Sequence, residues 1–120
     1  IQMAMVREVW DLLDQGVASA EDIDAAVRGS LGFRLAAIGP LSVCDFAGLD
    51  IWAKVFRNLA TEISADHEIP ATVRALVDEG HYGTKTKRGF FDYSDKSSLT
   101  NRTDERDRGF LEILKLFHSK

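Results

Sequence analysis

Between residues 51 and 63, apolar side chains return every fourth position. Ile51, Val55, Leu59 and Ile63 make one row, and Trp52, Phe56 and Ala60 make the row beside it, while Lys54, Arg57, Asn58 and Glu62 fill the opposite side. That spacing is a helix's, with Asp50 set to cap its start and Gly48 to break whatever precedes it. The same reading predicts a helix over residues 1–15, where Ile1, Met5, Val9 and Leu13 form a stripe that Val6, Trp10 and Leu12 widen, with Gly16 as its C-cap. Ser19 caps a second helix with Glu21 and Asp22 in its first turn; Ile23, Ala26 and Val27 face inward, and Gly29 or Gly32 ends it. Residues 32–40 read as a connector, Pro40 opens a short helix to about Phe46, and Pro70 opens another that carries Val73, Leu76 and Val77 and stops at Gly80. Residues 80–93 are glycine-punctuated and irregular, and 94–102 read as a linker. Thr103 is expected to cap a last helix with Phe110, Leu111, Ile113, Leu114 and Phe117 on its apolar face. No stretch alternates with a period of two, so the fold class predicted is all-α, with five to six helices packed ridge into groove.

Composition narrows the possibilities without naming one. The chain has 120 residues, 45% hydrophobic and 28% charged, with two prolines, one cysteine and a net charge of −4. These values exclude collagen, a disulfide scaffold and a low-complexity tail. An acidic total gives no electrostatic reason to coat nucleic acid or anionic membrane. No apolar run approaches the ~20 residues a spanning helix needs. No secretory signal is visible and Cys44 is alone, so a reduced, cytoplasmic setting is expected. The length suits one domain and is short for a nucleotide-binding domain plus a substrate domain, which together need roughly 200 residues or more. Nothing ahead of Ile1 could cap the first helix, so the chain is expected to be a piece of a longer protein.

Candidate chemistry is concentrated in one place. There is no Gly-x-Gly-x-x-Gly, and Gly83 to Gly89 is followed by Phe90 rather than by the Lys and hydroxyl residue of a phosphate loop. His67, His81 and His118 stand at no metal-ligand spacing, and no metal is expected. Cys44 reads as a small core residue, and Glu21, Asp22 and Asp24 as helix-start chemistry. The concentrated basic patch is Lys85, Lys87 and Arg88 with His81 nearby, followed at once by Phe90, Phe91 and Tyr93. It could bind a phosphorylated or nucleotide-like ligand, or be a solvated loop anchored by its aromatics.

The run Gly80-His-Tyr-Gly83-Thr-Lys85-Thr-Lys-Arg-Gly89-Phe90-Phe91-Asp-Tyr93 resembles the closing motif of the C-terminal domain of L-3-hydroxyacyl-CoA (3-hydroxybutyryl-CoA) dehydrogenases, Gly-x-x-Gly-x-Lys-x-Gly-x-Gly-Phe-Tyr-x-Tyr. Gly39-Pro40-Leu-x-x-x-Asp45-Phe-Ala-Gly48-Leu49-Asp50 is a second match. Gly16-Val-Ala-Ser-x-Glu-Asp22-Ile-Asp24, followed by Gly32-Phe33, is a third. Order and spacing agree over roughly residues 1–93. Lys87 stands where the family usually has Gly, Phe91 where Tyr is usual, and the Gly32–Gly39 connector is longer than in many members.

The resemblance implies a 6-phosphogluconate dehydrogenase C-terminal-like helical domain occupying residues 1–120. It would be the dimerisation and substrate-side part of a fatty-acid-metabolism oxidoreductase whose upstream Rossmann domain is absent from this chain. That upstream domain would bind NAD and carry the catalytic His and Glu, and a substrate-placing Asn would lie just before residue 1. The parent enzyme would oxidise L-3-hydroxyacyl-CoA to 3-ketoacyl-CoA by hydride transfer to NAD; relatives with the same domain act on other small hydroxy acids. This chain alone is expected to be inactive, to bind no cofactor and to hold no catalytic residue. It would form a homodimer and one side of the acyl-CoA cleft. Lys85 and Arg88 are the candidates for the CoA phosphates, Gly83 and Gly89 would shape the loop, Phe90 would pin it to the core, and Gly48 and Asp50 belong to the structural motif. The rival reading is a stand-alone helical interaction module; a third, nucleic-acid binding through Lys85 to Arg88, is disfavoured by the acidic total.

Overall fold

A computed structural model describes residues 1–118, and of Ser98, Phe117 and His118 the backbone alone; Phe117 of the expected apolar face and His118 thus lie outside the described side chains. Seven α-helices follow one another: α1 Gln2–Asp14, α2 Ala20–Val27, α3 Phe33–Ala37, α4 Pro40–Ala47, α5 Leu49–Leu59, α6 Ala71–Asp78 and α7 Lys96–His118. The described residues form no strand, so the all-α expectation holds; extended pairing amounts to isolated bridges at Gly83–Arg88 and Arg88–Asp92. The internal contacts divide the chain into two compact units, Ile1–Val73 and the part from Arg74 onward.

In the first unit the predicted starts and stops hold at several points. The Ser19 hydroxyl accepts from the Asp22 amide at 3.1 Å, capping α2. The amides of Gly16 and Val17 turn back to the carbonyls of Leu13 and Leu12, closing the end of α1. Pro40 opens α4 after Gly39, whose extended backbone (φ −74°, ψ 166°) is what a following proline requires. Gly48 takes φ +101° between α4 and α5, and a β-carbon there would stand 2.8 Å from the Asp50 carboxylate. Asp50 itself does not cap α5: the helix already starts at Leu49, and Asp50 lies in its first turn, where its charge suits the helix dipole.

The 32–40 connector is helical rather than irregular. Neither Gly29 nor Gly32 stops the chain, because Arg28–Gly32 widens into a π turn that carries the helix on into α3. The Ser30 hydroxyl donates to Ala26 O at 2.6 Å, and a β-carbon at Gly32 would crowd Val27 O at 3.0 Å, so glycine suits the tightest point of that turn. Ile23 and Val27 are half-buried as expected, while Ala26 is exposed. Cys44 is half-buried rather than a core residue.

Segment 64–72 is tied to α1 by polar contacts. Glu8 Oε2 accepts from Ser64 N at 3.0 Å, Arg7 Nη1 donates to Asp66 O at 3.3 Å, and Asp14 Oδ1 accepts from both the amide (3.0 Å) and the hydroxyl (2.8 Å) of Thr72. Asp14 therefore caps the first turn of α6 from across the fold, and the Thr72 amide and then its hydroxyl hold the carboxyl below its ordinary value.

α5 is the regular amphipathic helix its spacing predicts, ending at Leu59 so that Ile63 lies past it. Its apolar face, however, stays open among the described residues: Ile51, Trp52, Val55, Phe56 and Leu59, with Ile63 beyond them, are 40% to 65% exposed. The buried apolar residue among those described is Val73, in α6, at 7%.

In the second unit α7 starts at Lys96, not at Thr103. Asp95 is its cap, accepting from the amide and hydroxyl of Ser97 at 3.2 and 3.1 Å. Thr103 is inside the helix and turns its hydroxyl back onto Leu99 O at 2.9 Å. The residues read as a linker are thus the cap and first two turns of α7. Phe110, Leu111, Ile113 and Leu114 lie on α7 and are exposed.

Candidate functional site: the loop from Gly80 to Tyr93

The loop leaves α6 through Gly80 and His81, whose amides bond back to Val77 O and Leu76 O at 3.0 and 2.8 Å. His81 Nε2 lies 3.3 Å from Glu79 Oε2. From there the chain closes on itself. Gly83 N donates to Arg88 O at 2.7 Å and Arg88 N returns to Gly83 O at 3.1 Å, with a 3₁₀ turn over Thr84–Thr86 between them. The Thr86 hydroxyl fills this ring: it accepts from Tyr82 N at 2.8 Å and faces Gly83 O at 3.2 Å and Arg88 O at 3.1 Å. A second closure follows, with Tyr93 N on Lys87 O at 2.8 Å and Gly89 N on Phe91 O at 3.0 Å.

This geometry explains the residue types. Gly83 adopts φ +107°, ψ −146°, a region open in practice to glycine alone. A β-carbon on Gly89 would stand 2.8 Å from Gly83 Cα, so the two glycines pass backbone against backbone. Lys87, at the position where the resembled family usually has Gly, takes φ +65°, ψ 8°, the one left-handed non-glycine residue among those described.

Lys85 and Arg88 are both exposed on this loop. Lys85 Nζ stands 5.6 Å from the Tyr82 ring centroid. Arg88 lies near Asp92, whose carboxyl is held below its ordinary value first by the Ser94 hydroxyl, then by the Ser94 amide at 2.8 Å, with added attraction from Arg88 and Arg102. Phe90, expected to pin the loop, is 42% exposed, whereas Phe91 and Tyr93 are half-buried. The Arg102 guanidinium of α7 lies over both half-buried rings, 5.9 Å from the centroid of Phe91 and 5.4 Å from that of Tyr93.

Arg102, Thr86 and Asp92 are the site residues that sequence reasoning missed. Reading Asp95-Lys96-Ser97 as a helix start would have put Arg102 on a helix beside the motif. Gly48 and Asp50 lie in the other unit, at the α4–α5 junction.

The first unit has a cleft of about 140 Å³ between α1 and segment 64–70, walled by Val6, Trp10, Ile69 and Pro70 with Arg7 and His67 among its polar residues. The strand–turn–helix unit that seats a dinucleotide in a Rossmann fold is not among the described residues. Among them, no single helix is long and apolar enough to cross a membrane. The pair Ala20–Ala37 and Pro40–Ala47, which together reach that length and hydropathy, is bent by 98°.

Comparison with known proteins gives this geometry a context. Residues 1–93 match the 3-hydroxyacyl-CoA dehydrogenase C-terminal domain. The chain is 33% identical over 85% of its length to 3-hydroxybutyryl-CoA dehydrogenase of Bradyrhizobium diazoefficiens, covering 34% of that protein. It is 29% identical over 98% of its length to 5-formyl-3-hydroxy-2-methylpyridine 4-carboxylate 5-dehydrogenase of Mesorhizobium japonicum, covering 38% of it. A solved structure of a dehydrogenase of the latter name, described as an NAD+ dependent dismutase, superposes with a TM-score of 0.91 at 28% identity over 99% of this chain and 38% of the other. The chain therefore spans between about a third and two fifths of these relatives. With the motif folded as a closed loop and three quarters of the chain matched, the protein belongs to the 3-hydroxyacyl-CoA dehydrogenase C-terminal domain family.

Proposed function

We propose that this chain is the helical, substrate-side part of an NAD-dependent dehydrogenase that interconverts L-3-hydroxyacyl-CoA and 3-ketoacyl-CoA. In this reading another domain binds NAD and supplies the acid and base, and this chain supplies one wall of the acyl-CoA cleft and the surface on which two copies meet. The observation that carries it is the Gly80–Tyr93 loop: a turn closed by its own backbone that leaves Lys85 and Arg88 facing solvent. Two cations on a rigid turn suit the phosphates of coenzyme A, which take charge-assisted bonds from such donors. The uncovered apolar face of α5 supports the dimer.

A second reading concerns the substrate. The family match stops at residue 93, whereas similarity to the pyridine-carboxylate dehydrogenase extends over 98% of the chain and so takes in α7. That favours a small aromatic carboxylate as an alternative to an acyl-CoA. Calorimetric titration of the full chain with coenzyme A and with a hydroxymethylpyridine carboxylate separates the two. The acyl-CoA reading expects coenzyme A binding that weakens about tenfold in Lys85→Ala or Arg88→Ala and falls with salt. Heat from the pyridine carboxylate with none from coenzyme A would replace it by the second reading.

A further inference from the structure

The loop closes from within, and α7 reaches it from outside. Arg102 sits two turns into α7, beyond the family-matched residues 1–93, and its guanidinium lies within 6 Å of the ring centres of Phe91 and Tyr93. These rings flank Asp92, which pairs with Arg88 through an antiparallel bridge. Tyr93 in turn donates its amide to Lys87 O, the left-handed residue that closes the turn. A cation over two rings thus holds residues 91–93, which pair back to Lys87 and Arg88. The charges of Arg88 and Arg102 also attract the Asp92 carboxylate.

We propose that Arg102 is a positioning residue: α7 straps the Gly83–Tyr93 loop through it and thereby presents Lys85 and Arg88 to an anionic ligand. The role in ligand binding rests on the reading of Lys85 and Arg88 given above; the strap itself does not. Arg102 touches no ligand. It acts by stacking, so the planar guanidinium matters as well as its charge, and lysine replaces it only in part. α7 therefore sets loop geometry that the motif does not fix by itself, most of all here, where Lys87 adds left-handed strain that a glycine would avoid.

The test is amide hydrogen exchange on the full chain, read at Gly89 and Tyr93 and scaled to the amides of α1. Arg102→Ala is expected to speed exchange at both by about fivefold to tenfold, with Arg102→Lys in between and α1 unchanged. Unchanged exchange at Gly89 and Tyr93 in Arg102→Ala overturns the strap. Should Arg102→Ala fail to fold, Arg102→Gln carries the same expectation, since it keeps length and loses the cation.

Coenzyme A affinity is measured alongside. If Arg88→Ala weakens it, Arg102→Ala must weaken it too, with partial recovery in Arg102→Lys; an unaltered affinity in Arg102→Ala overturns the positioning role. If Arg88→Ala leaves it unaltered, the anion-site reading falls and the positioning role with it, while exchange still decides the strap.

Discussion

α5 and the Gly80–Tyr93 loop are opposite kinds of structure. α5 has the cleanest amphipathic pattern in the chain, yet the side chains of its apolar face stay 40% to 65% exposed, Phe56 at the upper end. The loop has no periodicity at all, yet its backbone groups are bonded to one another through Gly83, Lys87, Arg88, Gly89 and Tyr93. The loop's closure is thus set by local backbone bonds, with Arg102 of α7 over its half-buried rings. An apolar stripe of that width is unfavourable in water, so the proposed second copy would stabilise α5 by covering it.

Four perturbations test this contrast. Phe56→Asp should act mainly on association. The account expects it to weaken pairing of two copies by at least about 2 kcal/mol, the scale of a buried aromatic anchor. It should shift the unfolding free energy of the separated chain by no more than about 0.5 kcal/mol, since the ring is already exposed there. Sedimentation and urea titration read the two effects. A large loss of chain stability instead would mean that α5 is covered from within.

Gly83→Ala should reverse the pattern. A side chain at φ +107°, ψ −146° costs about 1–3 kcal/mol, measured by urea midpoint, and association should be untouched. Lys87→Gly should stabilise the chain by up to about 1 kcal/mol through relief of a left-handed lysine, with slower amide exchange at Tyr93.

The smallest effect is on pH. Asp14 and Asp92 both have folded carboxyls held below their ordinary value near 3.8, by Thr72 and by Ser94 respectively. The stability each contributes is complete above that value and is lost as the pH falls through the lower, folded one. Urea midpoints measured from about pH 6 down to about pH 2 should fall in that acid range, and Asp14→Asn should flatten part of the fall. An unchanged profile in Asp14→Asn would remove the cross-fold cap on α6.

These elements also mark how far the sequence could be read. Helix periodicity and caps located α1, the start of α2, α4, α5 and α6, because a 3.6-residue period and residues such as Ser19 and Pro40 act locally. Gly29 and Gly32 misled, because a π turn uses glycine to stay helical rather than to stop. Thr103 misled because a hydroxyl that can cap an N-terminus can equally bond back one turn inside a helix. In the loop the glycines and basic residues were legible from motif spacing, whereas the half-burial of Phe91 and Tyr93 goes with the Arg102 guanidinium that α7 brings over their rings, a contact no local pattern announces. Burial was the least legible property: amphipathic spacing says that a face needs a partner, and not that the partner is in the same chain.

The most direct test of that last point is the mass of the full chain in solution. Sedimentation equilibrium over a wide concentration range should return twice the monomer mass and fall to the monomer mass in Phe56→Asp. A single monomer mass for the unaltered chain at every concentration would contradict the claim that a second copy covers α5.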